Sequence, residues 1–308
     1  MNNIYDRLDE LYAAGDQAAA EGFLLDVIGK TSDQSPERAG LLNELAGFYR
    51  GVSRYAESEE SFGQSLKIFE SAGMSTTPEY ATVLMNLAGL YRMRGDADKA
   101  VELFFDAMRK LEDLNFCDSY TYVSVVNNLA LAYQSKGELK QALEYATKAL
   151  NLMRAQDGKE HEVATSLNNV SSIYLGLGDL ETADSMISEA LDIYAAMENP
   201  DVHYAAALTT KAVLMFRSGN YRNSLDGFRH ALELTKHFFG ENIEFAICKR
   251  NISEVCEMLG DIPTALSELS EAVRILERIL GTDHNSVSSA RKKLNELVLT
   301  ATYGDMRG

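Results

Sequence analysis

The stretch LMNLAGLYRMRGDADKAVELFFDAMRKL, residues 84–111, decides the fold of this chain. Its first half places apolar and aromatic residues at the i, i+3, i+4, i+7 spacing of one helix face, at Leu84, Leu87, Ala88 and Tyr91. Gly95 ends that helix, and Asp96 is placed to accept a hydrogen bond from the first free amides of the next one. The second half carries another such stripe, at Ala100, Phe104, Ala107 and Leu111. The stretch therefore predicts two antiparallel helices packed as a hairpin.

The same pattern recurs six times along the chain. Each copy has a turn residue, which is glycine in five copies and serine in one, at Ser53, Gly95, Gly137, Gly178, Gly219 and Gly260. The spacings between them are 42, 42, 41, 41 and 41 residues. Five positions after the turn, every copy has a small residue: Ser58, Ala100, Ala142, Ala183, Ser224 and Ala265. Self-similarity at a fixed period indicates stacked supersecondary units rather than one globular core.

These columns resemble the tetratricopeptide repeat. The residues that carry the resemblance stand in that motif's order and spacing: Leu87, Ala88, Tyr91, Gly95, Ala100, Phe104 and Ala107. The usual unit of about 34 residues has a proline near its end. Here that proline is absent, so the second helix can run on and the period is longer. With Asn-Asn-Leu-Ala at 127–130 and the loop stretches 158–161 and 281–284, the repeats look most like the long repeats of kinesin light chains.

The resemblance implies an all-α, right-handed superhelical solenoid of antiparallel helix hairpins. We expect a single solenoid over residues 1–308 that begins with a degenerate repeat at 4–37 and ends with a capping helix at 284–301. Between them we expect six repeats, at about 38–80, 81–122, 123–163, 164–204, 205–245 and 246–282.

Composition and charge exclude several classes of function. The formal net charge is −17, whereas a nucleic-acid-binding surface needs clustered cations. No window approaches 18 consecutive apolar residues, and the first residues lack the basic and apolar segments of a secretory signal. The three cysteines form no CxxC pair, which fits a reducing compartment. We therefore expect a cytoplasmic protein that binds neither nucleic acid nor membrane.

Asparagines recur on the helix face opposite the core columns. In the first helix of each hairpin, the residues nine and ten positions before the turn residue point toward the expected concave groove. A carboxamide offers both a donor and an acceptor, so a row of them can hold the main chain of an extended peptide whatever its sequence. The family resemblance implies the same use. The candidate peptide-binding residues are Asn86, Asn127, Asn128, Asn168, Asn169, Asn251, Arg92, Arg217 and Arg250.

Two questions stay open at this point. The same asparagines could instead bond the neighbouring repeat and only make the stack rigid. Lys211 and Lys249 fall in columns otherwise filled by Leu, Val or Ile. Either the register drifts there and the aliphatic stems run to the surface, or the last hairpins present positive charge.

No signature of catalysis occurs in the sequence. There is no His-Glu-x-x-His, no phosphate-binding glycine-rich loop and no nucleophile elbow, and the five histidines are scattered. We therefore expect a non-enzymatic protein-protein interaction scaffold, with no cofactor and no metal, that binds a protein or peptide in its groove. Two alternatives are a peptide-gated regulatory receptor acting on a separate effector protein and a self-assembling structural protein. In the second alternative, the degenerate N-terminal repeat forms a homodimer contact.

Overall fold

The computed structural model describes residues 2–197 and 201–304, which form fifteen α-helices and no β-strand. The helices are α1 (Asn2–Ala13), α2 (Gln17–Gly29), α3 (Pro36–Gly51), α4 (Tyr55–Ser71), α5 (Pro78–Met93), α6 (Ala97–Asp113), α7 (Tyr120–Ser135), α8 (Leu139–Arg154), α9 (Glu160–Leu177), α10 (Leu180–Ala195), α11 (Val202–Arg217), α12 (Tyr221–Phe239), α13 (Ile243–Met258), α14 (Ile262–Leu280) and α15 (Asn285–Gly304). The prediction of an all-α repeat solenoid built from helix hairpins is confirmed.

The contacts divide the chain into two compact units. Unit 1 comprises Met1–Tyr12 and Asp16–Met197, and unit 2 comprises Ala13–Gly15 and Glu198–Gly308. Unit 1 holds the hairpins α3/α4, α5/α6, α7/α8 and α9/α10, preceded by α1 and α2. Unit 2 holds α11/α12 and α13/α14, followed by α15. A single uninterrupted array over residues 1–308 stays a prediction.

The first helix of each hairpin begins two to four residues before the predicted start of its repeat. Hydroxyl N-caps explain three of these starts. Ser35 accepts from the amide of Arg38, Thr77 from that of Tyr80 and Ser119 from that of Tyr122. Proline at the first helical position fits because its missing amide hydrogen has no partner at a helix start. The predicted capping helix lies at Asn285–Gly304.

The small residues that stand five positions after each turn let the two helices of a hairpin approach closely. Where that position holds serine, the hydroxyl bonds across the interface to a main-chain oxygen. Ser58 donates to the carbonyl of Ala46 at 2.8 Å, and Ser224 donates to that of Ala212 at 2.8 Å. Serine and alanine are therefore interchangeable there, because the buried hydroxyl has an acceptor within reach.

Within unit 1, tyrosine hydroxyls join one hairpin to the next. Tyr80 of α5 donates to Glu70 of α4 at 2.8 Å, and Tyr122 of α7 donates to Glu112 of α6 at 2.9 Å. Both rings are buried, and each pair connects a second helix to the first helix that follows it. These pairs, which we call the tyrosine clasps, keep the first helices of unit 1 side by side.

Unit 2 has its own core between α11, α12, α13 and α14, with Phe228, Ile252 and Leu269 almost fully buried. Leu297 of α15 packs on the same core and is 1% exposed. Lys249 is also buried, and its Nζ lies 2.7 Å from carboxylate oxygens of both Glu268 and Glu271 on α14. Its charge is therefore neutralised inside unit 2 and is not presented at the surface.

Across the described residues, we find no helix with both the length and the apolar character that crossing a membrane requires.

Candidate peptide-binding surface

The candidate residues of unit 1 lie on its first helices. We define the first-helix face of unit 1 as the positions nine and ten residues before the turn on α3, α5, α7 and α9. These are Asn43, Glu44, Met85, Asn86, Asn127, Asn128, Asn168 and Asn169. The tyrosine clasps and the small-residue interfaces fix the helices that carry them.

Some of these asparagines connect neighbouring hairpins. Asn86 donates to the carboxamide oxygen of Asn43 at 3.0 Å, and Asn127 donates to the hydroxyl of Ser166 at 2.8 Å. The first pair links α3 with α5, and the second links α7 with α9. A structural role therefore accounts for one hydrogen bond of each of these carboxamides.

Arg50 adds a further contact between α3 and α5. Its guanidinium donates to the main-chain carbonyl of Asn86 at 3.0 Å. Gly89 makes this approach possible, because a Cβ at that position would lie 2.8 Å from the guanidinium nitrogen. A side chain at Gly89 would displace Arg50 from the carbonyl.

Other hydrogen-bonding atoms on this face lack a partner among the described residues, or bond only within their own helix. Among the residues that the structure describes, the carboxamide of Asn168 forms no hydrogen bond, and its buried oxygen accepts none. The buried oxygen of Asn127 also accepts none. Leaving such an acceptor unpaired costs about 1–3 kcal/mol. Asn128 is half-buried and donates only to the carbonyl of Ser124 in its own helix, at 2.9 Å.

The remaining candidates differ in exposure. Arg92 and Asn86 are half-buried on α5, whereas Asn169 on α9 is 8% exposed. Unit 2 carries the other three, which are Arg217, Arg250 and Asn251. Arg217 is exposed, and the other two are half-buried. In the described part of unit 2, none of these three forms an ion pair or a side-chain hydrogen bond.

A cavity that the repeat pattern does not predict lies at one end of the first-helix face. This cavity, of about 410 Å³, lies between α1, α3 and α5, and we call it the N-terminal cavity. Apolar side chains form much of its wall, and three carboxylates line it: Glu37, Glu44 and Glu79. A signal for two of them exists in the sequence, because Pro36-Glu37 and Pro78-Glu79 recur 42 residues apart.

Burial perturbs the titrating groups around this cavity. It raises the pKa of Glu44 above the ordinary value of 4.5, and the negative charge of Asp9 acts in the same direction. The hydrogen bond from Asn43 and the charge of Arg50 oppose the shift. Burial, followed by the charges of Glu44 and Asp9, raises the pKa of Tyr12 to about 12. The carboxylate of Glu44 is therefore poorly solvated where it faces the cavity.

Comparison with known proteins extends these observations. The family model described as the tetratricopeptide repeat matches residues 37–113 and 122–196. No curated protein sequence matches the chain.

Several solved structures resemble the fold at low sequence identity. The Cut9–Hcn1 hetero-tetramer of the APC/C is 17% identical over 93% of this chain and 48% of that chain, with a TM-score of 0.63. A Rap protein complexed with competence and sporulation factor is 13% identical over 96% of this chain and 99% of that one, with a TM-score of 0.58. BtubC from P. vanneervenii is 21% identical over 77% and 93%, with a TM-score of 0.52. At these identities the likeness concerns the fold alone.

Proposed function

Because the chain belongs to the tetratricopeptide repeat family, we propose that it is a protein-interaction scaffold that binds an extended peptide segment along the first-helix face of unit 1. Asn128 and Asn168 hold the main chain of that segment. Asn43, Asn86 and Asn127 position the helices that carry them.

The observation that carries this proposal is the unpaired carboxamide of Asn168. Buried polar groups in proteins are nearly always hydrogen-bonded, so an exception calls for an explanation. A peptide amide that donates to Asn168 supplies the missing bond after a small rotation of the side chain. The amide nitrogen of Asn168 can then donate to a peptide carbonyl, which gives the two-point contact that main-chain recognition requires.

Arginines near these asparagines select among peptides. Arg92 is half-buried on α5, about one and two-thirds helical turns beyond Asn86, and we propose that its guanidinium contacts an acidic or carbonyl group of the peptide. Asn169 borders the same surface on α9. In unit 2, Arg217, Arg250 and Asn251 provide donors without partners in the described part of that unit, and we propose that they contact peptide within unit 2.

The test compares partner capture by three forms of the protein. The wild type, Asn128→Ala/Asn168→Ala and the control Asn151→Ala/Asn223→Ala are used to capture proteins from native lysate. The control removes two exposed asparagines on second helices. We expect a partner that the wild type and the control retain and the Asn128/Asn168 variant loses. Circular dichroism verifies that all three are folded.

The result that contradicts the proposal is an equal partner set for all three forms. Retention by the Asn128/Asn168 variant places the contact elsewhere, on unit 2, the second helices or the N-terminal repeat.

A peptide-gated regulatory receptor is the second candidate. The observation in its favour is the likeness to a Rap protein, which extends along almost the full length of both chains and whose structure contains competence and sporulation factor. In this alternative a short peptide changes the arrangement of the helices and so controls a separate effector protein. Small-angle scattering with and without a captured peptide distinguishes the two, because a scaffold keeps its scattering profile and a receptor changes it.

A further inference from the structure

We infer that the N-terminal cavity of unit 1 binds a lysine or arginine side chain of the captured segment, next to an apolar residue of that segment. This inference rests on the proposed function and names the class of peptide that the first-helix face accepts.

The position of the cavity connects it to the proposed binding surface. Asn43 and Glu44, which belong to the first-helix face, also line the cavity. Thr82 of α5 lines it as well, one helical turn before Asn86. A segment that runs along the first-helix face therefore reaches the cavity at its α1 end.

The charges that line the cavity favour a cationic group over an acidic one. Glu37, Glu44 and Glu79 line it, and none of the lining residues is lysine or arginine. Glu37 and Glu79 form no ion pair or hydrogen bond with any residue that the structure describes. An acidic side chain placed here meets three like charges, whereas a cation meets three opposite charges.

The helix dipole explains why acidic residues stand at positions 37 and 79, but it does not explain why both carboxylates line a cavity. Each follows a proline in the first turn of its helix, where a carboxylate interacts favourably with the helix dipole. That preference requires no cavity beside the carboxylate. The additional feature here is the position of the two carboxylates around an apolar space that α1 closes with Ile4 and Tyr5.

The shape of the space matches an amphipathic cation. Ile4, Leu41 and Val83 provide apolar contacts for the aliphatic stem of lysine or arginine, and the carboxylates receive its charged end. A volume of about 410 Å³ leaves room for a neighbouring apolar side chain beside Met74 and Phe69. Of the three carboxylates, that of Glu44 gains the most stabilisation from a bound cation, because the cation compensates for the solvation that burial removes.

A second copy of this chain is a poor occupant by charge. Each copy carries a formal net charge of −17, so two copies repel each other at this acidic site. The occupant is a basic and apolar segment of a different protein.

The experiment selects binders from a displayed library of random peptides on three forms of the protein. These are the wild type, Glu37→Gln/Glu44→Gln/Glu79→Gln and the charge-matched control Glu102→Gln/Glu181→Gln/Glu254→Gln. The three control residues are exposed and form no ion pair in the described residues. Selection is carried out at about 0.15 M salt, so that long-range attraction to the acidic surface is screened.

We expect the wild type and the control to enrich peptides with lysine or arginine beside an apolar residue. The cavity variant loses this enrichment and binds the best such peptide about tenfold more weakly, as expected for the loss of hydrogen bonds to a charged group. Both triple variants must retain the helical circular dichroism of the wild type.

Three results overturn the inference in distinguishable ways. Enriched peptides without a cationic preference contradict the cavity assignment and leave the proposed function standing. An equal loss of enrichment in the control shows that overall charge, and not the cavity, attracts the cation. If no peptide is enriched on the wild type, or if Asn128→Ala/Asn168→Ala binds every enriched peptide unchanged, the proposed peptide-binding function is wrong. The inference about the N-terminal cavity is then wrong as well.

Discussion

The two units carry different chemistry at the same repeat positions. Ten residues before the turn, unit 1 has asparagine in three of its four first helices, whereas unit 2 has Thr209 and Arg250. Eleven residues before the turn, unit 1 has the buried apolar residues Leu84, Val126 and Leu167, among others, and α13 of unit 2 has the buried Lys249. The repeat therefore determines the position of a side chain on its helix, whereas the type of side chain at that position differs between the units. Four experiments test this comparison, from the largest expected effect to the smallest.

The largest effect is expected at Lys249 in unit 2. Glu268→Gln/Glu271→Gln leaves a buried ammonium without an anion, and we expect the free energy of unfolding to fall by about 3 kcal/mol. Lys249→Met, which restores the apolar chemistry of unit 1 at this position, should change it by less than about 1.5 kcal/mol. Urea denaturation at neutral pH measures both.

Equal losses of stability in these two variants contradict the interpretation, because the lysine itself would then be required for packing.

The same ion pairs determine the pKa of Lys249. Burial opposes the charge and lowers the pKa, but the bonds to Glu268 and Glu271 raise it above 10.5. The stabilisation is therefore complete below pH 10.5 and is lost as the pH rises through the raised pKa.

The second experiment compares the loss of stability caused by substituting Asn127 with the loss caused by substituting Thr209, which occupies the same column in unit 2. Asn127→Ala breaks the bond to Ser166 between α7 and α9 and leaves a buried void, so we expect a loss of about 2 kcal/mol. The hydroxyl of Thr209 bonds only the carbonyl of Ala205 in its own helix, at 3.0 Å, and Thr209→Ala should cost less than about 0.5 kcal/mol. Thermal unfolding of the two variants measures the difference. Similar shifts in both would show that the asparagine bond adds nothing to the stack.

A smaller effect on the free energy of unfolding, which depends on pH, is expected at Glu44. Because burial raises its pKa in the folded protein, the folded state binds this proton more tightly than the unfolded state does. The contribution of Glu44 is therefore favourable below pH 4.5 and is lost as the pH rises through the raised pKa. Relative to Glu44→Gln, the wild type should lose stability over that range in pH-dependent denaturation. A difference between the two proteins that stays constant with pH contradicts the burial of this carboxylate.

The smallest effect on stability is expected at Asn168, where the free protein has no bond to lose. Asn168→Ala should leave the free energy of unfolding unchanged or raise it slightly, because the substitution removes a buried acceptor without a partner and alanine favours the helix. The same variant should bind a captured peptide about tenfold more weakly in calorimetry. A destabilisation as large as that of Asn127→Ala would assign Asn168 to the stack.

The hairpins could be predicted because their columns act through spacing alone. Leu84, Leu87 and Tyr91 mark one face, and Gly95 marks a turn that needs a positive φ, observed at 89°. These features require no knowledge of neighbouring repeats. The helices begin before the apolar columns do, because the caps at Ser35, Thr77 and Ser119 precede those columns in the sequence.

The site could be predicted only in part, because it depends on contacts between hairpins. The spacing placed Asn127 and Asn128 on one face but could not show that Asn127 bonds Ser166 while Asn128 bonds its own helix. A modest rotation of the helix decides between these outcomes. The N-terminal cavity needs α1, whose degenerate repeat gave the weakest periodic signal, so its lining residues were not identified.

The tyrosine clasps have a mechanical consequence. Each joins only consecutive hairpins, Glu70 to Tyr80 and Glu112 to Tyr122, so no clasp bridges two hairpins that are not neighbours. When unit 1 is pulled from its ends, each clasp resists separation of its own pair of hairpins only, together with the packing of the same helices. We therefore expect an array of this kind to yield by discrete extensions, one hairpin at a time, and to re-form in the same units when the tension is released.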